Sequence, residues 1–276
     1  MHLRDLVICV AGAAVLSGCA SGPQGASGAA SDGSPTPGAF KACMAADSAG
    51  FADGAENQAA YEGMLQAATE LNLLVSQAQA DDDADYASTV NDLAEGGCSL
   101  IVTVGDAHAG DAQTAAQAHP GVFFLLVDAQ AETPQTNLKP LLFDTADAAF
   151  LAGYVAAAQT SNDRAAVASD ADDVYRNGFT AGVDYYNQAK GTNVTASDTD
   201  GAVSDSVRKV VDAAVITTIG EATRGQFTSA PYFGTLKDGG VDIVPLPDDA
   251  SDELQAEVAQ LRAGLIDGSI TPPAAG

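Results

Sequence analysis

Residues 99–104 read SLIVTV and residues 122–127 read VFFLLV, two short runs made almost entirely of apolar side chains. Strands of this kind are buried on both faces, which is typical of parallel sheets in α/β proteins. Residues 40–46, FKACMAA, form a third such run. Between the runs, residues 57–70 and 86–95 place apolar side chains at helical spacing. The sequence therefore predicts a parallel sheet with helices packed on both faces.

The alternation of strands and helices continues along the chain. Further strands are predicted at residues 73–77, 141–143, 165–168, 194–196 and 241–245. Further helices are predicted at residues 111–118, 145–159, 175–186, 204–224 and 252–264. A length of 276 residues allows one or two domains with a sizeable core.

The first 38 residues differ in composition from the rest. Residues 6–16, LVICVAGAAVL, span only about 16 Å as a helix, about half of a ~30 Å hydrocarbon core. They predict a secretory signal over residues 1–18 rather than a transmembrane helix. The following LSGC resembles the lipobox of bacterial lipoproteins, in which Cys19 is acylated with fatty acids such as palmitate. An ordinary signal peptide that contains a cysteine is the alternative. Residues 19–38, rich in Gly, Ser, Ala and Pro, predict a flexible tether.

Charge and motif content exclude several classes of function. The chain carries 11 Lys and Arg against 37 Asp and Glu, a net charge of −26, which would repel nucleic acid and anionic lipid. No G-x-S-x-G, H-E-x-x-H or P-loop motif occurs. We therefore expect no enzyme, no cofactor, no metal centre and no nucleic-acid partner.

The four cysteines are consistent with export. Cys9 leaves with the signal and Cys19 takes the lipid, so Cys43 and Cys98 remain, each at the start of a predicted strand. In an oxidising compartment this pair predicts a disulfide. Two buried free thiols are the alternative.

Two polar loops follow predicted strands. They are residues 47–58, DSAGFADGAENQ, and residues 105–111, GDAHAGD. Open parallel sheets bind ligands beyond the carboxyl ends of their strands, where glycines let the backbone approach and carboxylates accept hydrogen bonds. The loops predict a polar, neutral ligand rich in donors. The alternative is that the carboxylates only cap turns and helices.

Three acidic clusters have the residue types of metal ligands. The two clusters made only of aspartates are more typical of solvated helix starts than of calcium sites, because they lack the ligand spacing and the glycine turn of an EF-hand. The third favours an exposed loop histidine over a zinc site. The clusters are Asp81, Asp82, Asp83 and Asp85; Asp170, Asp172 and Asp173; and His108 with Asp106 and Asp111.

The first loop also resembles the D-x-G-G-F-x-D-x-S-F-N-Q-x-x-Y-E-G segment of the basic membrane protein family of lipoproteins. These are nucleoside-binding substrate-binding proteins of ABC importers. Residues 97–105 (GCSLIVTVG), 141–154 (LLFDTADAAFLAGY) and 234–241 (GTLKDGGV) resemble further family segments, and the resemblance covers most of residues 40–270.

The resemblance implies an α/β, two-lobed fold of the class I periplasmic-binding-protein type with parallel sheets, closing on a nucleoside. It implies that residues 39–140 with 235–276 form the first lobe and residues 141–234 the second.

The resemblance also implies five ligand-binding residues. By position, Asp47 and Asn57 would hydrogen-bond the base, and Asp111 would be a further base contact. Residues 206–209, SVRK, resemble the family's T-S-V-x-K, whose lysine reaches the ribose hydroxyls and corresponds to Lys209. Asp198 begins a D-T-D run that resembles a ribose-holding segment.

The chain departs from the family pattern in three places. Glu56 replaces the aromatic residue that stacks on the base, and Asp106 replaces a usual Phe. The second lobe is short, with two predicted strands between Ala165 and Ser204 where the family has about four. Two hypotheses follow. The first is a lipid-anchored, extracytoplasmic protein that captures a purine or other nucleoside for an ABC permease. The second is a ligand-incompetent relative acting as a surface lipoprotein or accessory binding module.

Overall fold

The computed structural model describes residues 40–169, 171–199 and 206–272. The predicted signal, the lipobox with Cys19 and the tether lie outside the described residues, as do Asp170 and Ser204. Within the described part, no helix combines the length and apolar character that crossing a membrane requires.

Strands and helices alternate through the described residues. In chain order the elements are β1 (Lys41–Ala46), α1 (Glu56–Leu71), β2 (Leu74–Gln79), α2 (Tyr86–Glu95), β3 (Leu100–Val104), α3 (Ala109–Ala118), β4 (Phe123–Val127), β5 (Leu138–Phe143), α4 (Ala146–Gln159), β6 (Arg164–Ala168), α5 (Asp173–Lys190), β7 (Thr195–Thr199), β8 (Val207–Lys209), α6 (Val211–Thr223), β9 (Tyr232–Gly234), β10 (Val241–Ile243) and α7 (Asp252–Asp267).

A six-stranded sheet in the order β2-β1-β3-β4-β5-β9 forms the centre of the first lobe. All its strand pairs are parallel. The chain moves from β1 to β2 on one side and then to β3 on the other. The strand order therefore reverses between β1 and β3, and the loops after these two strands border a crevice where such sheets bind ligands.

Alternate residues of each strand face opposite helical layers. Cys43 and Ala45 of β1 share a core with α2 and α3, whereas Ala42 and Met44 share one with α1 and α6. Because successive strand side chains point to opposite faces, both faces must be apolar. This arrangement confirms the predicted parallel sheet covered on both sides.

A disulfide connects the start of the sheet to the segment before β3. Cys43 and Cys98 are bonded, with their Cα atoms 6.0 Å apart. Both side chains are buried against α2 and α3. The bond therefore ties two neighbouring strands together inside the first lobe.

Among the described residues, the second lobe has two small sheets and three helices. β6 pairs with β7 in parallel, and β8 pairs with β10 antiparallel. The apolar helix α4 is buried among α5, α7 and these strands, as expected of a helix without a polar face. Gly153 permits a close crossing of α4 and α5, because a Cβ there would overlap the Phe179 carbonyl oxygen. In the described part of the second lobe the parallel sheet has two strands, in keeping with the predicted short lobe.

The elements of the carboxyl-terminal half pack against both lobes. α6 packs against α1, and β9 joins β5 in the six-stranded sheet. α7 packs its apolar residues, among them Leu254 and Leu261, against α4 in the second lobe. The connection between the lobes is therefore crossed more than once in this half of the chain.

The long helix predicted over residues 204–224 was the wrong element for its first part. Val207–Lys209 form strand β8, and the helix α6 begins at Val211. The strand forms because β10 lies beside it: the Val244 amide donates to the Ser206 carbonyl at 3.0 Å. A partner more than 30 residues away thus overrides local helical spacing.

Candidate functional site

A cleft of about 430 Å³ opens between the two lobes. The first lobe contributes the start of α1, and the second contributes β8, the start of α5 and the end of β10. The polar side chains that line the cleft are those of Glu56, Thr145, Asp172, Tyr175, Arg208 and Lys209.

One carboxylate of the first loop is a helix cap. Asp53 accepts hydrogen bonds from the backbone amides of Ala55 at 2.8 Å, Gln58 at 3.0 Å and Asn57 at 3.3 Å. These are amides of the first turn of α1, which have no partner within the helix. For Asp53, the capping alternative therefore describes its role, at the start of the helix whose first residue, Glu56, lines the cleft.

Asp47 and Asn57 are brought together beside that turn. The Asn57 side-chain amide donates to Asp47 Oδ1 at 3.0 Å, and the Ala49 backbone amide donates to the same oxygen at 3.0 Å. Asn57 is 5% exposed, and Asp47 is half-buried directly after β1. The pair is thus pre-oriented at the carboxyl end of β1, although neither residue lines the cleft itself.

Asp111 lies beside a buried aromatic pair. His108 Nδ1 is 3.5 Å from Asp111 Oδ2, and the His108 ring stacks on Tyr86 with centroids 3.7 Å apart. Burial raises the pKa of Tyr86, and the nearby carboxylates of Asp47 and Asp111 add to the rise. Two of the three predicted base contacts, Asp47 and Asp111, therefore lie close enough to Tyr86 to affect its pKa.

His108 corrects one sequence expectation. The side chain is 4% exposed, not an exposed loop histidine, because Tyr86 covers its ring. Within the described residues, no three His, Cys, Asp or Glu side chains are arranged to hold a metal ion. In the acidic cluster after β2, Asp82 instead accepts a hydrogen bond from the Asp85 amide at 3.1 Å.

Lys209 crosses the cleft to two carboxylates of the first lobe. Its Nζ donates to Glu56 Oε1 at 3.0 Å and to Asp128 Oδ2 at 2.5 Å. Burial alone would lower the pKa of the lysine, but Asp128 and Glu56 more than reverse that effect and raise it. The amine therefore stays charged and hydrogen-bonded to the carboxylates of Glu56 and Asp128.

Asp198 lies outside the lining of the cleft. It forms an ion pair with Arg176, and its side chain is 63% exposed on β7. Arg176 also donates to the carbonyl oxygens of Ala168 at 3.2 Å and Ser169 at 3.1 Å. The predicted ribose-holding carboxylate is thus engaged in joining β7 to the loop after β6.

Sequence reasoning missed several residues of the site. Asp128 follows the buried strand β4 directly, just as Asp47 follows β1, so its position after a strand was the available signal. Asp172 caps α5, as expected of a helix start, with its Oδ1 accepting from the Tyr175 amide at 2.7 Å, but its place in the cleft lining was not predicted. Arg208 lies in the segment predicted as helix, which concealed its place on the cleft wall.

Comparison with known proteins gives the family context of this geometry. Residues 40–206 match the family model Bmp, described as ABC transporter substrate-binding protein PnrA-like. The ABC transporter nucleoside-binding protein BmpA of Lactococcus lactis subsp. cremoris is 28% identical over 184 residues, which cover 63% of this chain and 50% of that protein. The chain thus spans about half the length of the curated relative that it matches.

Solved structures show the fold. A solute-binding protein of an ABC transporter system from Aeropyrum pernix is 20% identical with a TM-score of 0.71, covering 85% of this chain and 94% of that one. A corresponding protein from Conexibacter woesei is 16% identical with a TM-score of 0.67, covering 85% and 98%. A transcriptional activator of the comK gene from Bacillus halodurans is 16% identical with a TM-score of 0.65, covering 85% and 100%. Because the family model matches more than half of the residues, the chain belongs to the Bmp family of PnrA-like ABC transporter substrate-binding proteins.

Proposed function

We propose that this protein captures a purine or other nucleoside outside the cell and delivers it to the permease of an ABC importer. The observation that carries the proposal is the cleft of about 430 Å³ beside the strand-order reversal, with polar groups on both walls. That volume lies within the range of small-molecule sites. The family is one of substrate-binding proteins rather than enzymes, which supports binding without turnover.

The first lobe would recognise the base. Asp47 and Asp111 offer carboxylate oxygens, and Asn57 has a second amide hydrogen and an amide oxygen for the ligand. Their grouping around Tyr86 and the first turn of α1 supports a shared role. These three residues remain a proposal for the base contacts.

The second lobe would recognise the ribose. Lys209 presents a charged donor on the cleft wall, within reach of hydroxyl groups once its carboxylate partners are displaced. Asp198 would have to leave Arg176 and approach the cleft as the lobes close. Closure of the two lobes around the ligand would shift the population towards the form that the permease recognises.

We propose that the protein works at the extracytoplasmic face of the cell membrane, anchored through lipid on Cys19. A tether of residues 20–38 would reach about 25 Å from the membrane surface. Metabolic labelling with palmitate should label the wild type, and Cys19→Ala should lose the label and leave the membrane fraction. A labelled or membrane-bound Cys19→Ala protein would exclude this anchor.

Calorimetric titration of the mature protein tests the receptor function. Inosine, guanosine, adenosine and uridine are titrated separately, and at least one should bind. Asp47→Ala should abolish the response, because it removes a ligand acceptor and the partner of Asn57. Asp184→Ala, which removes an exposed carboxylate from α5, is the matched control. Unchanged affinity in Asp47→Ala would refute the base site.

A second candidate function is favoured by Glu56. Without an aromatic residue at position 56 to stack on the base, base binding would be weaker by about 1–3 kcal/mol. Glu56 instead accepts a hydrogen bond from Lys209. A ligand-incompetent surface lipoprotein or accessory binding module would have this property. The same titration separates the candidates, because no heat of binding at millimolar nucleoside would exclude the receptor and leave the second candidate.

A further inference from the structure

Three charged side chains meet across the cleft, and each comes from a different segment. Glu56 is the first residue of α1, and Asp128 follows β4, so both belong to the first lobe. Lys209 is the last residue of β8 in the second lobe. The lysine contacts Glu56 at 3.0 Å and Asp128 at 2.5 Å. This cross-cleft ion cluster therefore joins the two bodies that must separate to admit a solute.

The cluster is sheltered, although it is not fully buried. The side chains of Lys209, Asp128 and Glu56 are 22%, 31% and 35% exposed. In such a setting ion pairs are screened less by salt than fully exposed pairs. The two carboxylates also outweigh the effect of burial and raise the pKa of the lysine, so its charge persists at neutral pH.

The charges of the cluster do not balance. Lys209 has three N–H donors and directs two of them to carboxylates, so a neighbouring pair of solute hydroxyls can both bind the amine only by replacing one carboxylate. Asp128 is held by the backbone at the end of β4, where its amide donates to the Leu141 carbonyl at 2.8 Å. Glu56 lines the cleft and reaches the amine through a side chain one methylene longer than that of Asp128, so it is the more easily displaced partner.

We infer that Glu56 is an affinity-setting residue: it clamps the ligand-free lobes through Lys209 and competes with the solute for the same amine. The clamp does not depend on which solute binds, whereas the competition rests on the proposed nucleoside function. Removing the charge of Glu56 should therefore open the ligand-free protein and strengthen the binding of a hydroxyl-bearing solute.

The experiment compares the wild type with Glu56→Gln in the mature protein. Glu62→Gln is the matched control, since it removes an exposed carboxylate from the same helix, one that accepts a hydrogen bond from Gln58 one turn earlier. Small-angle X-ray scattering without ligand measures the radius of gyration, and calorimetry with inosine measures affinity. Circular dichroism checks that all three proteins fold alike.

Glu56→Gln should have a larger ligand-free radius of gyration than the wild type, and Glu62→Gln should not. Inosine should bind Glu56→Gln about two- to fivefold more tightly, the range that one partly exposed ion pair supports. Sodium chloride at 0.5 M should enlarge the wild type more than Glu56→Gln, because the variant keeps only the Lys209–Asp128 pair for salt to screen.

Equal radii for the wild type and Glu56→Gln would overturn the clamp. Unchanged or weaker inosine affinity in an opened Glu56→Gln would overturn the competition. An opened Glu56→Gln, with no nucleoside bound by any of the three proteins, would support the clamp and refute the proposed nucleoside function instead.

Discussion

Reduction of the Cys43–Cys98 bond should lower the free energy of unfolding by about 4 kcal/mol. The two cysteines are 55 positions apart in the chain. Closing a loop of that size removes about 14 cal/mol/K of conformational entropy from the unfolded chain, which is about 4 kcal/mol at 25 °C. Both side chains are buried, so we expect the folded lobe to keep the same packing after reduction. The effect of reduction then falls on the unfolded chain.

Guanidinium unfolding followed by circular dichroism, with and without a phosphine reductant, measures this difference. The reduced protein should also show a steeper dependence on denaturant, because its unfolded chain is less compact. The double variant Cys43→Ala, Cys98→Ala serves as the control and should not respond to reductant. Two alkylatable thiols found by mass spectrometry without reductant would refute the bond, and a difference below about 1 kcal/mol would refute the entropic reasoning.

Two further predictions concern the second lobe and its helices. Gly153→Ala should lower the free energy of unfolding by about 1–3 kcal/mol, because the new Cβ would overlap the Phe179 carbonyl oxygen. Gly121→Ala, which meets open space, should change it by less than about 0.5 kcal/mol in the same denaturation assay, and equal effects would contradict the close crossing. Pairing with Lys190 lowers the pKa of Glu257 in the folded protein, so its stabilisation is present above the unfolded value of 4.5 and is lost as pH falls through the folded value. On acidification, the free energy of unfolding of Glu257→Gln should therefore fall less steeply than that of the wild type. An identical pH dependence in the two proteins would count against the pairing.

The first lobe is the part of the fold that local patterns describe best. Its strands are continuous apolar runs, and its helices repeat apolar residues at helical spacing. A short window of sequence is therefore enough to predict whether one face or both faces of an element are buried. The short strands were harder to predict. β9 has three residues and gains its identity from β5, about 90 positions earlier, a pairing that no local window contains.

The loops after the strands indicated where a site would lie, because the carboxyl ends of parallel strands meet at one edge of a sheet. Asp47 and Asn57 are ten positions apart, and their contact follows from the strand–loop–helix unit that holds them. Whether a given carboxylate binds or caps could not be predicted, since Asp53 and Asp47 belong to the same loop and have the same chemistry. In the structure Asp53 accepts from amides at the start of α1, whereas Asp47 accepts from the Ala49 amide and the Asn57 side chain, and ligand binding by Asp47 stays a prediction.

The amino acids alone are enough to establish a doubly wound sheet, an acidic surface and the family of the chain, since these depend on composition, on short periodicities and on motifs. They could not disclose that Glu56 meets Lys209, because 153 positions separate the two and each is an ordinary charged residue in its own segment. Folding brings α1, β4 and β8 to one cleft. Which carboxylates pair with Lys209 depends on the segments that surround it there. The ion pairs of Lys209 are thus a property of the packed lobes.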